Sequence, residues 1–231
     1  MTFDFPLEII RANRSKSVTI KIEDENIKVI VPENLSDKRI EDLIKKRSTR
    51  IKQKIKIYNE TVRPKPKEYV NGESFTYMGR NYRLKIILKK EKEVKLKDGY
   101  LNTYINKTVS KNNMEETVKK SLENWYQIKA LEKLTEKTKR YASILGVTPK
   151  SVTVKEYKSR WGSCSSDGDI SFNWRIIIAP HQIVDYIVVH ELCHILEHNH
   201  SPKYWRHIKN VIPNHKECRE WLKLNSAALV V

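Results

Sequence analysis

The sequence contains no run of about 18 apolar residues, so no transmembrane helix is expected. It opens Met1-Thr2-Phe3-Asp4-Phe5-Pro6, without the basic stretch and long apolar core of a secretory signal. Cysteine is scarce. Cys164, Cys193 and Cys218 are an odd number with no close pairing pattern, which argues against a disulfide framework. Free thiols in a reducing, cytoplasmic setting are expected instead. Glycine is scarce too, with 6 residues, and reads as punctuation: Gly79, Gly99, Gly146, Gly162 and Gly168 each mark a turn or a helix stop.

Basic charge is plentiful. The net charge is +17, of which +11 lies in residues 1–110 and +6 in 111–231. Such a balance allows weak nucleic-acid association through the N-terminal region. The charges are spread and carry no nucleic-acid motif, so a lysine-rich solvated surface is the plainer reading. At 231 residues the chain has room for one domain or two small ones, with an ample core.

The most informative stretch is His190-Glu191-Leu192-Cys193-His194. Residues four apart share one face of a helix, so both imidazoles can reach one zinc ion. The glutamate between them can act as general base on a metal-activated water. Apolar Ile183, Val184, Ile187 and Val188 lead in and favour a buried helix. A catalytic zinc needs a third ligand and an open position. His198 is too far along the helix, about 12 Å from His190 at ~1.5 Å per residue. His200 sits at a chain reversal, where Asn199 can take the left-handed conformation and Ser201-Pro202 starts the next helix. Glu217 and Glu220, on a later helix, are rival ligands.

Along the chain, residues 7–14 are an apolar-to-basic lead. Val18, Ile20 and Ile22 alternate, Asp24–Asn26 turns, and 27–32 resumes, which predicts a hairpin. Ser36 caps a helix with Ile40, Leu43, Ile44, Ile51 and Ile55 on one face, to about Tyr58. A Pro/Lys linker spans 61–67. Strands over 73–78, 81–88, 93–97 and 100–105 read as an antiparallel meander. A long helix covers 112–145 and stops at Gly146. Strands over 151–157 and 170–178 flank a loop at 160–166. Ala179-Pro180 opens the histidine helix, 203–211 is a short helix, 215–224 is the last, and Ser226 onward is expected to fray.

Several further motifs join the histidine pair in one order. They are Arg160-Trp161-Gly162-Ser163-Cys164, Phe172-Asn173-Trp174-Arg175, Ala179-Pro180, Asn199-His200-Ser201-Pro202 and Tyr204-Trp205. Together they resemble the YgjP-like metal-dependent hydrolases, relatives of the SprT and WLM zincin-like metallopeptidases. The resemblance covers most of the chain and is strongest over 150–224. It implies an α+β fold: a β-rich basic N-terminal region with one helix, residues 1–110, then a zincin-like domain, 111–231. In the latter an active-site helix packs under a small sheet. It implies zinc on His190, His194 and His200, with Glu191 as base. Metzincins of the same ligand spacing turn the chain with a glycine; 195–199 has none, which leaves that work to Asn199 or to a turn of another kind.

The expected reaction is hydrolysis of peptide bonds in a protein or peptide substrate. Zinc would acidify a water and polarise the carbonyl, and Glu191 would move the proton. Oxyanion or substrate-binding candidates are Arg160, Ser163, Tyr204 and His207, with Arg160 preferred. Asp185 is expected to pair with Arg175 or Arg160. Cys193 points off the metal face and reads as packing. Two rival readings are a metal-dependent phosphohydrolase acting on nucleotides or nucleic acid, and a zinc-containing nucleic-acid-binding module.

Overall fold

A computed structural model of the chain describes residues 7–13, 18–23, 26–61, 64–90 and 93–231. The fold is α+β, with three small sheets and five α-helices among the described residues. Two compact units form: Met1–Val62 with Lys223–Asn225, and Arg63–Leu222 with Ser226–Val231.

In the first unit, β2 (Thr19–Glu23) and β3 (Asn26–Pro32) pair antiparallel, as the alternation predicts. The turn between them lies outside the described residues. The lead is itself a strand, β1 (Leu7–Ala12), parallel to β3, giving the order β1-β3-β2. Helix α1 (Asp37–Glu60) starts after Ser36 and buries Ile40, Ile44 and Ile51 in a core with Ile27, Val29 and Val31.

The second unit opens with β4 (Ser74–Tyr77), β5 (Arg80–Leu88), β6 (Glu93–Lys97) and β7 (Tyr100–Ile105). Both two-residue turns, Met78-Gly79 and Asp98-Gly99, have positive φ at both positions, which suits the strand twist of a hairpin. The expected meander is corrected, however. The order is β4-β5-β7-β6, and β5 pairs β7 in parallel, Leu84 beside Leu101. Phe75, Leu84 and Leu101 of this sheet share one core with Leu122, Ile183 and Leu192, so residues 63–110 pack as part of the second unit.

Helix α2 (Lys111–Leu145) ends at Gly146, which takes the left-handed conformation. It packs against β6, β7, β8 and the histidine helix α3 (His181–Leu196). The last sheet has the order β8-β10-β9, from β8 (Ser151–Lys155), β9 (Gly162–Cys164) and β10 (Asp169–Asn173). The expected 160–166 loop thus contains an edge strand. The apolar run after β10 is not strand but a 3-10 helix, Trp174–Ile178, capped where the Asn173 side chain accepts from Arg175 N at 3.1 Å. Helix α3 comes next, with Pro180 at its N-cap and Ile183, Val184, Val188 and Leu192 completely buried. Burying each such side chain contributes roughly 1.5–3 kcal/mol. Two shorter helices follow, α4 (Pro202–Val211) and α5 (His215–Asn225). The tail after α5 does not fray: Leu229 and Val231 are buried, and the Tyr69 hydroxyl donates to the Val231 carbonyl at 2.7 Å. No helix among the described residues is long and apolar enough to cross a membrane.

Candidate metal centre

His190 and His194 lie one turn apart on α3, with ring centroids 5.2 Å apart. His200 comes back to them from the reversal between α3 and α4, its ring 5.1 Å from His190 and 4.9 Å from His194. One donor atom from each of the three lies within 4.8 Å of the others. Among the described residues this is the one group of three or more potential ligands. Glu217, Glu220 and His198 are not in it, and all three are exposed.

The reversal is not built as expected. Asn199 does not have positive φ; among the described residues only Tyr69, Met78 and Asp98 do, outside glycine. The chain leaves α3 through an extended Glu197, and Ser201 N-caps α4 by accepting from Tyr204 N at 3.2 Å. Extended residues and a side-chain cap do what a left-handed residue would otherwise do.

Neighbours fix each ring. Tyr186 Oη lies 3.5 Å from His190 Nδ1, and His194 Nδ1 lies 3.4 Å from the Glu197 carbonyl. With Nδ1 partnered, His190 keeps Nε2 as its remaining ring donor. Tyr204 is fully buried; its hydroxyl donates to the His190 carbonyl at 2.9 Å and sits 3.5 Å from His194 Nε2. Trp205 stacks on His200 at 5.6 Å and on His215 at 5.9 Å. The Arg219 guanidinium covers Trp205 at 4.6 Å. The role of Arg219 carries no sequence signal, because nothing in the spacing brings α5 to His200.

Glu191 is buried at 4% exposure, against Gly162 of β9. A Cβ added at Gly162 would fall 2.5 Å from Glu191 Oε1 and 2.6 Å from its Cγ. The glycine is needed for this approach, not for a turn. Ser163, next in β9, lies 3.0 Å hydroxyl to hydroxyl from Tyr157. Arg160 is exposed, its guanidinium 5.7 Å from the Tyr157 ring, and its charge acts on Glu191. His207 is half-buried on α4, outside the three-histidine group. Asp185 pairs with neither predicted arginine. It binds Lys137 of α2 at 2.6 Å, while Arg175 pairs with Glu156 at 2.9 Å. Cys193 is buried as packing, as expected.

The electrostatics suit neutral imidazoles. Burial, then the neighbouring histidines and Arg219, push His190 down to about 3. His194 is lowered by burial and by His200. Burial raises Glu191 to about 8, opposed by Arg160. A raised carboxyl pKa contributes stability that is lost as pH climbs from about 4.5 through 8. A depressed imidazole pKa contributes stability that is lost as pH falls from 6.5 towards 3. Between 4.5 and 6.5 these two slopes cancel, and the lowered His194 and His181 tip the balance towards loss on the acid side. Thermal unfolding of chelator-treated protein is therefore expected to give a maximal Tm near pH 6.5. A Tm that keeps rising from pH 6.5 to 8 would contradict the buried carboxyl.

The family profile described as YgjP-like, metallopeptidase domain, matches residues 16–225. No curated protein matches the chain. Two crystal structures of metallopeptidase zymogens are similar to part of it. Abylysin of Pyrococcus abyssi is 25% identical over 39% of this chain and 94% of that one, with a TM-score of 0.36. Jannalysin of Methanocaldococcus jannaschii is 20% identical over 39% of this chain and 96% of that one, with a TM-score of 0.34.

Proposed function

We propose that this chain, which belongs to the YgjP-like metallopeptidase family, hydrolyses peptide bonds at a zinc ion held by His190, His194 and His200. The observation that carries the reading is the convergence of three imidazole donors within 4.8 Å. Tetrahedral zinc with bonds of about 2.0–2.1 Å sets its nitrogens about 3.4 Å apart, which small side-chain rotations reach. Three imidazole nitrogen donors suit zinc and leave a fourth position for water or substrate. A zinc ion there would supply an acidified water and polarise the scissile carbonyl.

The chain's own residues do the rest. Glu191 accepts the proton of the attacking water and passes it to the leaving amine. Burial alone favours its protonated form, and a dication held beside it would favour the carboxylate that the base step needs. Tyr186, Glu197 and Tyr204 hold the histidine rings and the helix that carries them. In this reading residues 111–231 carry the chemistry, residues 1–110 are an accessory basic region, and the substrate is a protein or peptide met in the cytoplasm.

Metal analysis tests the ligand set. His200→Ala is expected to lower bound zinc at least tenfold, and His198→Ala to leave it near one per chain, because His198 is exposed and outside the group. The reverse order would reassign the third ligand. Cleavage of a quenched peptide library, with nucleoside triphosphates as the parallel arm, separates peptide from phosphoryl hydrolysis.

A further inference from the structure

A cavity of about 460 Å³ is lined by Tyr157, Lys158, Arg160, Trp161, Asn173 and Arg175 and bordered by the tail after α5. No aspartate or glutamate side chain lines it, and three cations do. Arg175 is committed to Glu156 and to the Trp174 face, 4.6 Å away. Neither Lys158 nor Arg160 forms a salt bridge among the described residues, though the charge of Arg160 reaches Glu191.

The cavity wall is built, not draped. Asn173, 3% exposed, donates through Nδ2 to the carbonyls of Tyr157 at 3.0 Å and Arg160 at 3.3 Å. Its backbone N–H donates to the Trp161 carbonyl at 2.8 Å. Trp161 Nε1 in turn donates to Ser226 Oγ at 3.3 Å. One buried amide thus fixes the backbone that presents both cations. Trp161 lines this cavity and the next residue, Gly162, forms the slot of Glu191. The charge of Arg160 acts on Glu191, so this wall lies within electrostatic reach of the candidate base.

We infer that this cavity is a substrate subsite for a carboxylate, taken by Arg160 and Lys158. The inference rests on the peptidase reading for the identity of its ligand. A guanidinium recognises a carboxylate through paired N–H donors, and the exposed lysine adds a second charge. The carboxylate can come from an Asp or Glu side chain or from a peptide C-terminus.

The test measures binding of fluorescently labelled hexapeptides to zinc-loaded Glu191→Gln protein, so that no turnover is needed. One arm scans Glu against Gln along the peptide, and the other compares free-acid with amidated C-termini. In one arm the anionic member is expected to bind about tenfold more tightly. Arg160→Gln with Lys158→Gln is expected to erase that difference while changing neutral-peptide affinity less than twofold. Far-ultraviolet circular dichroism and zinc content establish that this variant is folded. Differences under twofold in both arms, or a preference that survives the double substitution, would overturn the subsite. Wild-type cleavage is scored on the same peptides. Cleavage without a preference leaves the peptidase standing and removes the subsite; a preference without any cleavage does the opposite.

Discussion

Replacing Glu191 by Gln is expected to lower kcat about 10²–10⁴-fold, the usual contribution of a positioned general base. Bound zinc should stay at one per chain, because the three imidazole donors are untouched. Stability should not suffer either. Glu191 is buried with its carboxyl pushed up to about 8, so ionising it works against burial. A neutral amide of the same size removes that cost. In chelator-treated protein the Tm of the variant is therefore expected to equal or exceed wild type, most clearly above pH 8. Peptide turnover measured beside zinc content and Tm checks all three. Activity that survives with zinc bound would take Glu191 out of the mechanism.

Gly162→Ala is expected to come close to the same loss without touching a titratable group. The added methyl would lie 2.5–2.7 Å from Oε1, Cγ and Cδ of Glu191, well inside contact distance. The glutamate side chain is the part able to give way, so it swings from its slot and the base is misplaced. Displacements of about 1 Å at a reacting group can cost about 10²-fold. The two substitutions act on one element, so they should not add. The double variant is expected to be no slower than Glu191→Gln alone. Additive losses would mean that Gly162 acts through something other than the base.

The histidine pair was legible because helical spacing is local: four residues apart is one face, whatever surrounds it. The approach of Gly162 to Glu191 was not. A missing side chain signals a turn or a close contact, and sequence does not say against what. Alternation located β5, β6 and β7 but not their neighbours, since a period of two fixes the face of a strand and leaves its partner open. Residues 174–178 read as strand because a short apolar run looks alike in any fully buried backbone. His200 was placed by the right neighbour for the wrong reason: Ser201 caps α4 as its type suggests, while Asn199 keeps ordinary backbone angles. The lysine under Asp185 lies 48 residues away on α2, beyond the reach of any local pattern.

The turn between β4 and β5 reaches the root of the histidine helix. Met78 N donates to the Ile177 carbonyl at 2.8 Å, and Gly79 N to that of Ile178 at 3.1 Å. A Cβ at Gly79 would come 2.8 Å from Pro180 Cα, so the two backbones are in contact. A fragment cut at residue 111 would lose this brace and leave both carbonyls bare where α3 begins. The shortest unit expected to stand alone therefore includes the early hairpin, which ties the aim of the histidine face to a segment far ahead of it in the chain.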